Sequence, residues 1–349
     1  AEDGIRDKLV TGVQTCALPI SWGAGPGAGA DPQPLRDVAP TRVPRLPVGL
    51  AEVDRVLGGG LVPGSLVLVG GEPGIGKSTL LLQAAAGVAS AVAGSGGHVL
   101  YATGEESAAQ VHLRAGRLGL LETPAGEAVR VVAASEVGRI LGLARASRPD
   151  LLVVDSIQTS TVDELDGPAG SVGQVRESAL RLMELAKGDG IAVVVVGHVT
   201  KDGSLAGPKT LEHLVDAVLS VEGDRYGGLR IVRAVKNRFG STEEVGVLEM
   251  RERGLAAVDD PARAFLASHA APAAGSVVAP TLEGTRPILV EVQALVAPAG
   301  YGTPLRRTSG VDTARLQLLV AVLGRRAGLS LAAHEVYVNI AGGLTLDEP

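Results

Sequence analysis

The chain has 349 residues, of which 46% are hydrophobic, 20% are charged and only 2% are aromatic. This composition provides enough apolar material for one large α/β domain and a smaller one, and it excludes a chain that is disordered throughout. The net charge of −6 excludes a protein coated in basic charge, although a ring or channel can still concentrate Lys and Arg locally.

The single cysteine, Cys16, excludes an intrachain disulfide and a Cys-rich zinc site. No apolar run in the sequence reaches the length that we would assign to a membrane span. Residues 1–8 mix acidic and basic side chains, and no long apolar stretch follows them as a secretion signal would require. We therefore predict a cytoplasmic protein without membrane contact.

Composition divides the chain into five segments. Residues 1–22 lack a clear period and contain the only cysteine and the only tryptophan, so we interpret them as artefactual, similar to translated sequencing-adapter sequence, or as a disordered tail. Residues 23–46 are rich in Gly, Pro and Ala, which predicts a linker. Residues 47–258 form the predicted main domain and 259–275 a second linker. Residues 276–349 form a smaller unit that we expect to be incomplete, because the chain stops after a Gly-Gly-Leu-Thr turn.

Apolar runs alternate with helical periodicities along the main domain. In chain order the predicted elements are strand Ser65–Val69, helix Lys77–Val92, strand His98–Thr103, helix Ala108–Leu118, strand Ala128–Ala133, helix Glu136–Ser147, strand Leu151–Asp155, a helix over 172–186, strand Ile191–Gly197, and the paired strands Ala217–Val221 and Leu229–Val235. This alternation predicts an α/β fold with a mostly parallel sheet covered by helices on both faces. In the smaller unit, strands Arg286–Val296 and Val336–Ile340 and helix Asp312–Arg326 indicate an α+β arrangement.

A phosphate-binding motif follows the first strand. Gly71–Ser78 reads G-E-P-G-I-G-K-S and matches G-x-x-x-x-G-K-[ST] in full, between a predicted strand and a predicted helix. The glycines let backbone N–H groups point at phosphate oxygens, and the helix N-terminus adds its positive end. Lys77 would reach the β- and γ-phosphates, and the Ser78 hydroxyl would ligate Mg²⁺. The predicted ATP-binding residues are Gly71, Glu72, Pro73, Gly74, Ile75, Gly76, Lys77, Ser78 and Thr79.

Carboxylates follow two other predicted strands. Asp155 ends a buried strand, where ligands bind in parallel sheets. A lone aspartate at a strand end is more often a turn or cap residue, but with the phosphate-binding motif present we predict that Asp155 holds Mg²⁺ through a water molecule, beside Ser78. Glu105 and Glu106 come just after the strand that ends at Thr103. Either glutamate is suited to activate a water as general base, but an acidic pair at a helix N-terminus has an equally good structural explanation.

These motifs together resemble the RadA (Sms) family of bacterial DNA-repair ATPases, which belong to the RecA-like motor class. The resemblance runs from about Val43 to the end of the chain. It is carried by GGEPGIGKSTLLLQ (70–83), YATGEES (101–107), LLVVDSIQT (151–159), GHVTKDGSLAGPKTLEHLVD (197–216) and, most specifically, the K-N-R-F-G run within VKNRFGSTEEVGVLEM (235–250).

The resemblance implies a RecA-like P-loop NTPase core followed by a partial α+β Lon-protease-like domain. It implies a homo-hexamer that uses ATP and Mg²⁺ to move along single-stranded and branched DNA. Such an enzyme assists branch migration of recombination intermediates in DNA repair, with a RecA-type recombinase as a partner. The family opens with a four-cysteine zinc module, and this chain has no ligands for that zinc. The Lon-like unit carries no implied protease activity and is expected to have a structural or DNA-guiding role.

The resemblance also implies roles for individual residues. Glu105 falls where RecA-like enzymes keep the water-activating glutamate. His198 falls where a polar sensor reads the γ-phosphate, although a lone histidine at a strand end is otherwise more often structural. Lys236 and Arg238 are similar to residues that couple DNA binding to hydrolysis and reach the neighbouring subunit's nucleotide. A solvated basic turn is the alternative for this pair.

Two Gly-rich polar loops, Ser160–Gly173 and Thr200–Thr210, are expected to face the central hole of the ring. Lys201 and Lys209 are the candidate contacts to the DNA backbone, together with Lys236 and Arg238. A KaiC-like signalling ATPase or kinase that is not stimulated by DNA is the main alternative function. It shares the P-loop and the glutamate pair, but it explains neither the K-N-R-F-G run nor the Lon-like unit.

Overall fold

The computed structural model describes most of the chain. The described residues are 44–197, 210–223, 228–258, 260, 266, 274–300, 303–341 and 345–346. They contain a nine-stranded sheet with helices on both faces and a second, four-stranded sheet.

The large sheet has a parallel part and an antiparallel part. Its strands are β1 (Leu66–Gly71), β2 (Val99–Thr103), β3 (Val129–Ala133), β4 (Leu151–Asp155), β5 (Ala192–Val196), β6 (Ala217–Glu222), β7 (Leu229–Asn237), β8 (Val245–Arg251) and β9 (Gly254–Ala257). They lie in the order β3-β2-β4-β5-β1-β6-β7-β8-β9. The first six strands of this order pair in parallel, whereas β7, β8 and β9 pair antiparallel. The predicted mostly parallel sheet is therefore confirmed.

Alternate residues of the central strands enter two hydrophobic cores, one on each face of the sheet. Val67 and Val69 of β1 belong to the first core, and Leu66 and Leu68 to the second, as the two-residue period of a strand requires. The helices that supply the first core are α1 (Ala51–Leu57), α2 (Lys77–Val92), α3 (Ala108–Arg117) and α4 (Ala125–Ala128). Those that supply the second are α5 (Val137–Ser147), α6 (Val172–Asp189) and α7 (Thr210–Leu214).

Helix α2 bears on the prediction that no apolar run reaches the length of a membrane span. Together with the 3-10 turn Ala93–Ser95, it is long and apolar enough to cross a membrane when only length and composition are considered. The statement that no apolar run reaches that length was therefore wrong on this criterion. In the structure 56% of this stretch is buried, because ten residues of α2 lie against the protein interior. Its apolar character is that of a core helix.

The start of α3 determines where the acidic pair lies. Ser107 accepts a hydrogen bond from the backbone N–H of Gln110, and the Gln110 side chain accepts one from the backbone of Ser107. This capping box begins the helix directly after Glu106. Glu105 and Glu106 consequently lie in the short turn between β2 and α3, at the carboxyl end of the parallel strands.

The second sheet consists of β10 (Ser276–Glu283), β11 (Arg286–Pro298), β12 (Arg306–Ser309) and β13 (His334–Ile340), in the order β10-β11-β13-β12, and helix α8 (Thr313–Arg326) follows β12. A third apolar cluster joins β7 and β8 to it through Ile231, Val247 and Ile288. Beside this cluster, Arg286 forms an ion pair with Glu52 of α1, which also accepts a 2.7 Å hydrogen bond from Val247 N. Burial raises the pKa of Glu52, but the bonds from Arg286 and Val247 outweigh it and leave the pKa below its usual value.

Candidate nucleotide and magnesium site

The phosphate-binding motif forms a tight loop between β1 and α2. Gly74 has φ 79° and Gly76 has φ 111°, conformations that residues with a side chain rarely adopt. These two glycines turn the chain so that α2 begins at Lys77. The predicted strand–loop–helix context of the motif is present in the structure.

Lys77 is held inside this loop. Its side chain is only 5% exposed, and its ammonium group donates to the carbonyls of Gly71 at 2.8 Å and Glu72 at 2.9 Å. A buried ammonium is stable only when hydrogen-bond acceptors or an opposite charge compensate it. The phosphates of a nucleotide would supply both, so the loop keeps a cation ready for an anionic ligand.

Asp155 is the second buried charge of the site. It ends β4, is 4% exposed, and accepts a hydrogen bond from the hydroxyl of Tyr101 at 2.8 Å and another from Ser78. Burial raises the pKa of Asp155, and the charges of Glu105 and Glu106 add to this effect, while the bonds from Ser78 and Tyr101 oppose it. A divalent cation next to this carboxylate would relieve the cost of burying it.

The residues present fit a magnesium ion bound with a nucleotide. Ser78 and Asp155 are the predicted protein ligands, and their side chains are in direct contact. Mg²⁺ usually takes one or two protein ligands, several waters and the substrate phosphates. Within the described ranges there is no group of three or more His, Cys, Asp or Glu side chains that would hold a metal without such a substrate.

The two glutamates have different partners in the structure. Glu105 accepts a 2.5 Å hydrogen bond from the hydroxyl of Ser156, which directly follows Asp155. Glu106 instead forms a 2.5 Å ion pair with Arg114 of α3, and its backbone N–H donates to the Thr103 hydroxyl. Glu105 therefore contacts the residue that follows Asp155, whereas the charge of Glu106 is paired with Arg114.

Two supports of the loop were not identified from the sequence. Arg230 of β7 is 4% exposed and donates from Nε to the carbonyl of Ile75 at 2.8 Å. The methyl group of Met250 on β8 lies so close to Gly76 that an added Cβ would be 2.5 Å from it. The sequence carried one signal of this support, because Arg230 lies within the apolar run Leu229–Val235. An arginine that is buried in such a strand needs hydrogen-bond acceptors nearby.

The K-N-R-F-G run and the phosphate loop lie at opposite ends of the strands, that is, along opposite edges of the sheet. Gly71 pairs with Val221 near the carboxyl end of β6, whereas Ala217 at the start of β6 pairs with Asn237. Four residues of strand correspond to about 13 Å. The basic residues of this run and the phosphate loop of the same chain are therefore on different edges.

Lys236 and Arg238 differ in their surroundings. Lys236 donates to the carbonyls of Glu212 at 2.6 Å and Val215 at 2.7 Å, so it caps the carboxyl end of α7. Burial and the charge of Arg238 lower the pKa of Lys236. Arg238 reaches Asp216 at 3.3 Å, but 56% of its side chain is exposed. Of the two, Arg238 is the one available to an external ligand.

The remaining predicted site residues concern the two loops and the sensor position. His198, Lys201 and Lys209 lie outside the described residues. The loop over 160–173 is described and carries the acidic residues Asp163, Glu164 and Asp166. It is held by Gln174, which accepts from Val162 N at 2.7 Å and donates to Leu165 O at 2.8 Å. This loop therefore has its own anchoring side chain but contributes negative charge.

Comparison with known proteins agrees with this site. The AAA domain family AAA_25 matches residues 30–204. The chain is 50% identical over 324 residues to DNA repair protein RadA of Halalkalibacterium halodurans, covering 93% of this chain and 69% of that protein. It is 49% identical over 318 residues to DNA repair protein RadA of Bacillus subtilis, covering 91% of this chain and 68% of that protein. The chain belongs to the RadA family.

The structural comparison confirms the predicted RecA-like P-loop fold. The ATPase domain of G40P aligns with a TM-score of 0.53 at 15% identity, over 63% of this chain and 94% of that chain. At this identity the likeness concerns the fold alone. The family match and the intact motif together make the chain a P-loop ATPase.

Replacing Arg230 with alanine should weaken the binding of Mg·ATP about tenfold, or by about 1.4 kcal/mol, because the Ile75 carbonyl loses a buried donor and the loop loosens. Titration with a fluorescent ATP analogue measures this change. Arg233→Ala on the same strand is the matched control, because Arg233 pairs with Glu222 at a half-exposed position. Equal affinities of the two variants would contradict a role for Arg230 in supporting the loop.

Proposed function

We propose that the protein is a DNA-stimulated ATPase that processes recombination intermediates by branch migration during DNA repair. The observation that carries the ATPase part is the pair of buried charges Lys77 and Asp155 at one edge of the sheet, with the half-buried Ser78 between the loop and Asp155. The relatives named DNA repair protein RadA support the DNA-repair part. We propose that it works in the cytoplasm as a homo-hexamer on single-stranded and branched DNA, with a RecA-type recombinase as partner.

The proposed hydrolysis divides the work among four side chains. Lys77 binds the β- and γ-phosphates, while Ser78 and Asp155 hold the metal ion, which when bound neutralises charge on the phosphate oxygens. Glu105 orients the attacking water and accepts its proton. Its hydrogen bond with Ser156 supports this assignment over Glu106, since Arg114 already compensates the charge of Glu106.

Arg238 is proposed to act on the nucleotide of a neighbouring subunit. Its exposed guanidinium and its position on the edge opposite the loop of the same chain support an action in trans. A cation supplied by a neighbour stabilises the charge of the transition state and makes hydrolysis dependent on assembly. Lys236 is proposed to support Arg238 by holding the end of α7 rather than by contacting the phosphates directly.

The proposed DNA contacts are Lys201, Lys209 and Arg238, with His198 as the γ-phosphate sensor. The acidic character of the loop over 160–173 makes it a poor contact for the DNA backbone, so the loop over 200–210 is the better candidate of the two. The proposed domain limits remain 47–258 for the ATPase domain and 276–349 for the Lon-like unit.

Single-stranded DNA should raise the steady-state rate of Mg²⁺-dependent ATP hydrolysis, and Lys77→Ala should abolish hydrolysis with and without DNA. A coupled assay for ADP release measures both rates, and the stimulation should decrease as salt increases, because phosphate contacts release counterions. Hydrolysis that depends on Lys77 but ignores DNA at every salt concentration would overturn the DNA-motor proposal. Phosphate transfer to protein in its place would favour the KaiC-like alternative.

Glu105→Gln should lower kcat by about 10² to 10⁴-fold while leaving ATP binding nearly unchanged, because the amide cannot accept the proton of the attacking water. Glu106→Gln is the matched control and should cause a much smaller fall. Single-turnover hydrolysis and nucleotide titration of both variants provide the measurements. A larger loss in Glu106→Gln than in Glu105→Gln would reverse the assignment of the general base.

Mixing two inactive variants tests the action of Arg238 in trans. Arg238→Ala keeps an intact loop and Lys77→Ala keeps an intact Arg238, so mixed assemblies should regain ATP hydrolysis that neither variant shows alone. A mixture of Lys77→Ala with Glu105→Gln is the control, because under the proposal neither of these subunits has a complete pocket. No recovery in the first mixture, with mixed assembly verified by differently tagged subunits, would contradict the proposal.

A further inference from the structure

The hydroxyl of one fully buried tyrosine is directed at the carboxylate of Asp155, which we propose to hold Mg²⁺. Tyr101 lies on β2, is 1% exposed, and heads the largest fully buried side chains in the described part of the chain. Its hydroxyl donates to Oδ2 of Asp155 at 2.8 Å. In a chain with only 2% aromatic residues, one of the few aromatic rings is thus used in the core beneath the nucleotide site.

Packing fixes the position of this hydroxyl. Tyr101 belongs to the core cluster that also contains Val69, Leu80 and Val153, from β1, α2 and β4. A ring enclosed on all sides keeps a single orientation, so its hydroxyl stays at one point in space. A phenylalanine would fill the same volume without burying a polar group, which means that core filling alone does not account for a tyrosine here.

The second hydrogen-bond donor to Asp155 is Ser78, which has a further proposed role. Ser78 also hydrogen-bonds to Asp155, but under the proposed function its hydroxyl ligates the metal ion when a nucleotide is bound. Under the same function the Tyr101 hydroxyl ligates no metal, so metal binding does not require it to leave Oδ2 of Asp155. Groups that hydrogen-bond to a ligating carboxylate orient it towards the metal.

We propose that Tyr101 is a positioning residue for the magnesium site, and that its hydroxyl holds the Asp155 carboxylate in the orientation that receives the metal bound with ATP. This inference rests on the proposed function, because it assumes that Asp155 and Ser78 serve Mg²⁺. It adds a residue of β2 to a site that the motif assigns only to the loop and β4.

Tyr101→Phe tests the hydroxyl without changing the ring. The Mg²⁺ concentration at half-maximal binding of a fluorescent ATP analogue should rise about tenfold, whereas binding of the analogue in EDTA should stay within about twofold of the unmodified protein. The kcat for ATP hydrolysis should fall at Mg²⁺ concentrations that saturate the unmodified protein. Tyr337→Phe is the matched control, because the Tyr337 hydroxyl also donates to a carboxylate, Glu335 at 2.7 Å, but on β13 in the second sheet.

An unchanged Mg²⁺ dependence in Tyr101→Phe, equal to that of Tyr337→Phe, would overturn the inference. A general loosening of the core is distinguished by repeating the substitution in Asp155→Ala. There, Tyr101→Phe should add less than about twofold to the change in Mg²⁺ dependence, because its effect passes through Asp155. A full further tenfold change in that background would also overturn it.

The outcome remains separable from that of the proposed function. If the unmodified protein binds the analogue with Mg²⁺ but does not hydrolyse ATP, the ATPase proposal fails while the metal dependence of binding still decides the role of Tyr101. If hydrolysis is normal and depends on Lys77, but Tyr101→Phe matches its control, only the positioning role fails.

Discussion

Two buried opposite charges at one edge of the sheet constrain the rest of the nucleotide site. Lys77 and Asp155 are each almost completely removed from water. Each burial costs free energy unless neighbours compensate it, and each is compensated by groups of its own: loop carbonyls for the lysine, and the hydroxyls of Ser78 and Tyr101 for the aspartate. A nucleotide with its metal would add stronger partners to both groups, while Tyr101 would keep its hydrogen bond to Asp155. The free-energy cost of burying these two charges therefore favours the binding of a nucleotide with its metal.

The direction of the strands determines which residues can share that edge. The parallel strands β1, β2 and β4 all end there, and this brings together the loop, the acidic turn and Asp155. The antiparallel strand β7 serves both edges, because it starts with Arg230 beside the loop and ends with the basic run on the far side. One strand therefore connects the support of the phosphate loop with the exposed Arg238 just beyond its other end.

Many of the helices and strands can be predicted from the local sequence pattern, but the shorter elements and the contacts between distant residues cannot. Helix Lys77–Val92 and strand Leu151–Asp155 were predicted to the residue, because continuous apolar runs and a complete phosphate motif leave few alternatives. Helix α1 and strands β8, β9, β10 and β12 were not predicted; of these, β9 and β12 have only four residues each, too few to show a periodicity. The residues alone left Glu105 and Glu106 equal, and only the family resemblance favoured Glu105. The contacts that support this preference, Arg114 with Glu106 and Ser156 with Glu105, span eight and 51 residues and could not be read from local pattern.

The ion pair between Glu52 and Arg286 has a consequence for the synthesis of the protein. Its partners are 234 residues apart, and the bond from Val247 to the same carboxylate spans 195 residues. At typical rates of translation, roughly 10 to 50 s separate the emergence of these two side chains from the ribosome. Helix α1, which precedes β1 and the phosphate loop, therefore acquires its last buried contacts only after all strands of the large sheet and the first strand of the second sheet have been synthesised.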